Sequence, residues 1–173
     1  MANKFWQGVN NILKSTVPVY DKVEQAVDEH IRDTVTPIRG SIIYCNFDII
    51  LQSVAEHTGI YIGNGQIVEL QGKTSGGQIR AADRHGFFSG TGASHVSVAC
   101  HGNGSQPIGS EEIARRAESQ IGNSRNYHLF KDNCHRFTSG CITGNFDNGD
   151  TQFLKLCNTI RRHFGNFNWR AWK

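Results

Sequence analysis

The chain has 173 residues, 38% of them hydrophobic and 19% charged, with a net charge of +3, which suits one self-sufficient domain with a helical extension. The positive charge gathers near the C-terminus (Lys155, Arg161, Arg162, Arg170, Lys173) and forms no basic stripe interleaved with aromatics along the chain, so a nucleic-acid partner is not expected. No run reaches the roughly 20 apolar residues that cross a bilayer, and the start lacks the uninterrupted apolar core of a signal peptide, so neither a membrane anchor nor secretion is expected.

Residues 1–37 are expected to form a helical extension. Phe5, Val9, Ile12 and Leu13 share one helical face with Trp6 beside them, and after Pro18 a second stripe runs through Tyr20, Val23, Val27 and Ile31. Two helices packing on the following domain account for this pattern ahead of a membrane-surface role. Thr36-Pro37 closes the segment, because a residue before proline is pushed out of the helical region.

The domain proper is expected over 38–145. Residues 41–45 read as a strand, and 58–62 and 66–70 flank Gly63-Asn64-Gly65 as a hairpin. The Gly-rich stretch 71–94 reads as a long loop, with Phe87-Phe88 as an anchor onto the core or a contact for substrate. A strand follows over 95–100. Ser110 caps a helix opened by Glu111 and Glu112, with Ile113, Ala117 and Ile121 as its buried stripe and Gly122 at its end. Residues 127–130 read as a strand, and Asp132-Asn133 caps a helix from Cys134 to Gly144. Residues 146–173 are expected to add a short basic helix (Phe153, Leu154, Leu156, Ile160) and a Trp-rich tail packed on the domain.

The five cysteines are odd in number and show no CxxC spacing, which favours free thiols in a reducing, cytoplasmic setting. Cys134 stands apart from the others. It follows a capping pair at a strand-to-helix junction, where the unpaired first-turn N–H groups and the helix dipole favour a thiolate. His57 is the partner expected as base, since it opens the first hairpin strand. A three-residue loop pairs Gly59 with Glu69 and makes His57 and Glu69 diagonal neighbours on one face. Ile60, Ile62, Val68 and Leu70 then fall on the other face. A two-residue Asn-Gly loop would set His57 beside Leu70, and the three-residue loop is preferred because it sorts polar from apolar. Cys134, His57 and Glu69 thus read as nucleophile, base and orienter, with Gly59 leaving the space between the last two open.

The residues also carry a family resemblance. Glu56-His57-Thr58-Gly59-Ile60-Tyr61-Ile62-Gly63-Asn64-Gly65, preceded by Gly40-Ser41-Ile42-Ile43, resembles the histidine block of the lecithin retinol acyltransferase-like family. Residues 110–121 and Tyr127 to Phe137 resemble its cysteine block. These are circularly permuted papain-like enzymes within the superfamily of bacterial cell-wall endopeptidases. The resemblance implies an α+β fold with a small antiparallel sheet packed against helices, and a Cys134 thioester with His57 as general base. Tyr61, Gln71 and His135 are expected to touch substrate.

Three departures stand out. A second histidine usual in the acyltransferases is here Glu69, which can orient His57, with Gln71 as the alternative. The Glu-His pair usual after the cysteine is here His135-Arg136, which alters expected substrate contacts. The C-terminal membrane anchor of the animal phospholipid-acting members is not expected, so membrane contact is at most peripheral. The leading expectation is an acyltransferase or acyl hydrolase on lipid acyl esters. The alternatives are a cysteine amidase or peptidase on a peptide or cell-wall amide, and a non-catalytic binding module of the same fold. No cofactor is expected. His95 and His101 lack metal-ligand spacing, so no metal is expected either.

Overall fold

A computed structural model describes residues 34–46, 56–73, 76–89, 93, 95–125 and 133–173. In chain order the elements are β1 (Thr34–Val35), β2 (Ile42–Asn46), β3 (Glu56–Gly63), β4 (Gln66–Lys73), β5 (Gly76–Asp83), α1 (Arg84–Phe88) and β6 (Ser97–His101). They continue with α2 (Glu111–Glu118), β7 (Ser124–Arg125), α3 (Cys134–Thr143), α4 (Phe153–Phe164) and β8 (Phe167–Trp172). The class is α+β, as expected. The expected helices within 1–33 and the strand at 127–130 lie outside the described residues, and Thr34–Val35 is strand where the helical extension was expected to run on to 37.

The sheet is larger than the small antiparallel one expected. Among the described residues it has eight strands in the order β1-β8-β6-β2-β3-β4-β5-β7, antiparallel throughout except for the parallel pair β1–β8. The two unexpected contributions have one physical origin. In both, a short period-2 alternation lies inside a stretch whose composition signals something else. The supposed loop 71–94 holds the end of β4, all of β5 and α1, because Ile79 buries itself opposite Leu70 between polar neighbours. The C-terminal tail packs on the domain by joining the sheet as β8 against β6.

The β3–β4 hairpin combines both loop geometries considered from the sequence. Asn64 (φ 52°) and Gly65 (φ 73°) form the two-residue turn, with Gly63 opposite Gln66, the positive φ at both centres being what favours Asn-Gly here. An irregularity between Tyr61 and Gly63 then shifts the register, so that Tyr61 faces Ile67, Ile60 faces Val68 and Gly59 faces Glu69. The expected pairing therefore holds from Gly59 to Tyr61.

The sheet buries apolar side chains on both faces. On one, Ile42, Tyr44, Ile60, Val68, Leu70 and Ile79 pack with Ile113, Phe137, Cys141, Leu156 and Ile160 of the helices, and Trp169 of β8 joins them. On the other lie Ile43, Cys45, Ile67, Val98 and Cys100 with Phe87 of α1 and Trp172. Helix α2 starts as expected, with the Ser110 hydroxyl accepting from the Ile113 N–H. It ends at Glu118, however, which leaves Ile121 43% exposed and off the buried stripe. Helix α3 ends where expected, at Gly144 in the left-handed region (φ 80°).

Candidate active site

Asn133 starts helix α3 by satisfying its first turn. Its Oδ1 accepts from the His135 and Arg136 amides at 3.1 and 3.2 Å, and its carbonyl accepts from Phe137 at 3.1 Å. Its Nδ2 donates to the Thr151 carbonyl at 2.7 Å, which fixes the amide in that orientation. Of the two residues expected as possible caps, Asn133 is the one that does it. Cys134 follows as the first helical residue, 3% exposed, with its sulfur 3.7 Å from the Glu56 carbonyl at the start of β3.

Two histidines flank that sulfur. His57, 8% exposed, hydrogen-bonds Cys134 and gives Nε2 to Glu69 Oε2, leaving Nδ1 for the thiol. The other Glu69 oxygen accepts from Arg80 Nε at 2.9 Å and is ion-paired with Nη2 at 2.8 Å, so this carboxylate, 1% exposed, has a partner on both sides. Phe87 lies against the His57 ring with centroids 4.7 Å apart. Gly59 makes that approach possible, because a Cβ there would meet the Val68 carbonyl at 2.8 Å and Phe87 at 3.0 Å. The second histidine is His135, whose Nδ1 is 3.9 Å from Cys134 Sγ and 3.2 Å from Thr58 Oγ1.

The electrostatics follow from this packing. Burial alone would push the Cys134 thiol up, but the charges and hydrogen bonds of His135 and His57 reverse that and hold it well below the ordinary thiol range. For His57, burial favours the neutral ring. The Cys134 thiolate and the Glu69 carboxylate outweigh it and raise the imidazole to about 10. A buried thiolate beside an imidazolium is a ready nucleophile with a proton carrier next to it.

Of the residues expected to touch substrate, His135 sits in the thiol's own environment and is 5% exposed. Tyr61 lies further along β3 with its ring edge-on to Trp172 at 5.2 Å. Gln71, the alternative orienter, is half-buried two residues beyond Glu69, while Glu69 itself holds His57. Phe87, expected as an anchor onto the core or a contact for substrate, is buried in the core and packs on His57, whereas Arg80, Thr58 and Glu56 are additions to the site that the sequence pattern does not reveal. Arg80 lies in the stretch expected to be loop. Once β5 is recognised, its register alone sets Arg80 opposite Glu69.

The model of the lecithin retinol acyltransferase family matches residues 36–147. The chain belongs to this family. The match spans the hairpin, both histidines and the cysteine helix, so the site lies wholly within it. A comparison with curated proteins found no match. The family places the chain broadly among acyltransferases of lipid-related chemistry, and among the described residues no helix is long and apolar enough to cross a membrane.

Proposed function

We propose that the protein is a thiol acyltransferase or acyl hydrolase that works through a thioester on Cys134, with His57 as acid and base and Glu69 as its orienter, acting on lipid acyl esters. The observation that carries this is the chain Cys134–His57–Glu69–Arg80. It sets one thiol against an imidazole whose far nitrogen is held by a glutamate that an arginine pairs from its other side.

The thiolate attacks the ester carbonyl carbon, and the carbonyl oxygen becomes an oxyanion. Asn133 takes the His135, Arg136 and Phe137 amides, so among the described residues the Cys134 N–H is the first-turn donor left to stabilise that charge. Collapse breaks the carbon–oxygen bond, and the departing alkoxide takes the proton of His57. An acceptor hydroxyl, amine or water then attacks the thioester while His57 removes its proton, which restores thiolate and imidazolium. Glu69 keeps Nε2 protonated and aligned throughout. Arg80 holds the second Glu69 oxygen in place.

The test is intact-mass measurement after mixing the protein with a diacyl phospholipid or a 4-nitrophenyl acyl ester. The expected result is one acyl adduct on Cys134 that neutral hydroxylamine removes and that Cys134→Ala lacks. No adduct with either ester, alongside acyl capture from an amide donor, would replace lipid ester by amide chemistry. No adduct from any donor would sink the enzyme assignment.

A further inference from the structure

His135 stands beside the nucleophile with an acid partner of its own. Its Nε2 is 3.8 Å from Glu56 Oε2, in side chains that are 6% and 11% exposed. Its Nδ1 faces Cys134 Sγ at 3.9 Å and Thr58 Oγ1 at 3.2 Å. The Thr138 hydroxyl donates to that Thr58 oxygen at 3.1 Å, and the Phe153 ring packs on the imidazole with centroids 5.7 Å apart. Nδ1 thus has hydrogen-bonding partners in range and Nε2 faces a carboxylate at ion-pair distance, surroundings that suit a protonated imidazole. The thiol therefore lies between two histidine–glutamate pairs, one on the hairpin and one built across β3 and α3.

We propose that His135, backed by Glu56, is a second imidazolium that holds Cys134 as a thiolate independently of His57, so that His57 is free to give and take the proton. This rests on the assignment of Cys134 as the nucleophile. The division of labour follows from the surroundings of each ring. His57 is coupled through Glu69 to Arg80, whereas His135 is fixed by Thr58, Glu56, Cys134 and Phe153 and acts through its charge. Around His135, burial and the His57 cation oppose protonation, while the Cys134 thiolate and Glu56 favour it. Cys157 of α4 also senses the Glu56 charge. The favourable charges win, so the second cation persists beside the first.

The experiment is alkylation of Cys134 in the full chain by iodoacetamide between about pH 4 and pH 10, read by intact mass with Cys134→Ala as the baseline. His135→Gln should move the midpoint of the rate profile up by about one pH unit or more, a loss of roughly tenfold at the acid end. At alkaline pH the variant should alkylate at the wild-type rate, a recovery that a damaged fold would not show. Glu56→Gln should shift the midpoint the same way by less. His57→Gln should keep a midpoint below that of an ordinary thiol. Superimposable profiles for wild type and His135→Gln would overturn the proposal, as would a His57→Gln midpoint at the ordinary thiol value. If His135→Gln does not fold, Glu56→Gln decides, because it leaves the ring in place; an unmoved midpoint there also overturns it. No acyl substrate is involved, so failure of the acyl-transfer assignment shows separately as the missing mass adduct.

Discussion

Cys134 and Cys141 stand about two turns apart on one helix, 3% and 0% exposed, and their thiols are driven in opposite directions. Burial pushes Cys141 up despite Arg125 and Arg116 nearby. Cys157, on the neighbouring helix, goes to about 12 for the same reason, and Cys100 in the sheet to about 11. All five cysteines are free and buried, so neither burial nor freedom from a disulfide sets Cys134 apart. A more distant arginine does not offset desolvation either. What distinguishes Cys134 is two imidazoles in direct contact, delivered by the start of β3 and by the helix's own second residue.

That contrast is broken most severely by removing His57, the proposed proton carrier. His57→Ala should lower kcat/KM for ester turnover by roughly a hundred- to ten-thousand-fold, the usual worth of a positioned acid–base group. Thiol alkylation should fall much less, since His135 remains. A variant that retained turnover would show that some other group moves the proton.

Glu69→Gln should have a smaller effect, visible in the pH profile. Because His57 is raised to about 10, with Glu69 among the causes, its imidazolium is complete below that value and lost as pH rises through it. Neutralising Glu69 lowers the His57 value, so the alkaline limb of kcat/KM should move to lower pH. The acid limb, where thiolate becomes thiol, should move far less. An alkaline limb that stayed in place would uncouple Glu69 from His57.

The parts of this site legible in the sequence are those set by local rules. An Asn before Cys134 announced a capped helix, and apolar alternation on both sides of Asn64-Gly65 set His57 and Glu69 on one face. The register survived even though the turn is shorter than expected, because a bulge compensates and the buried face allows only one parity. Arg80 escaped because glycines around β5 and α1 resemble a loop until a neighbouring strand supplies the missing hydrogen bonds, and the same glycines hide how Phe87 reaches His57. Similarly, Phe167 to Trp172 alternates plainly, yet a strand at the end of a chain declares itself only through its partner, here β6. Glu56 and Thr58 were in view, flanking His57. Their approach to His135 depends on how α3 lies across the sheet, which no local pattern encodes.

The smallest expected effect separates the two ends of α3 most finely. Asn133→Ala removes the acceptor of two first-turn amides and the anchor to Thr151, and should cost about 1 kcal/mol in urea unfolding, as N-cap losses do. The Gly144 end of the helix keeps its own closure. The two imidazoles do not depend on the Asn133 side chain, so the thiolate should keep most of its stabilisation. Asn133→Asp keeps the acceptor and so should lose less stability. It also puts a negative charge next to the thiolate, which should raise the Cys134 midpoint in the alkylation profile. The pair of variants thereby divides what the cap contributes to folding from what local charge contributes to the nucleophile. If the aspartate variant left the midpoint unchanged while the alanine variant raised it, helix N–H groups rather than the two histidines would be the main support of the thiolate.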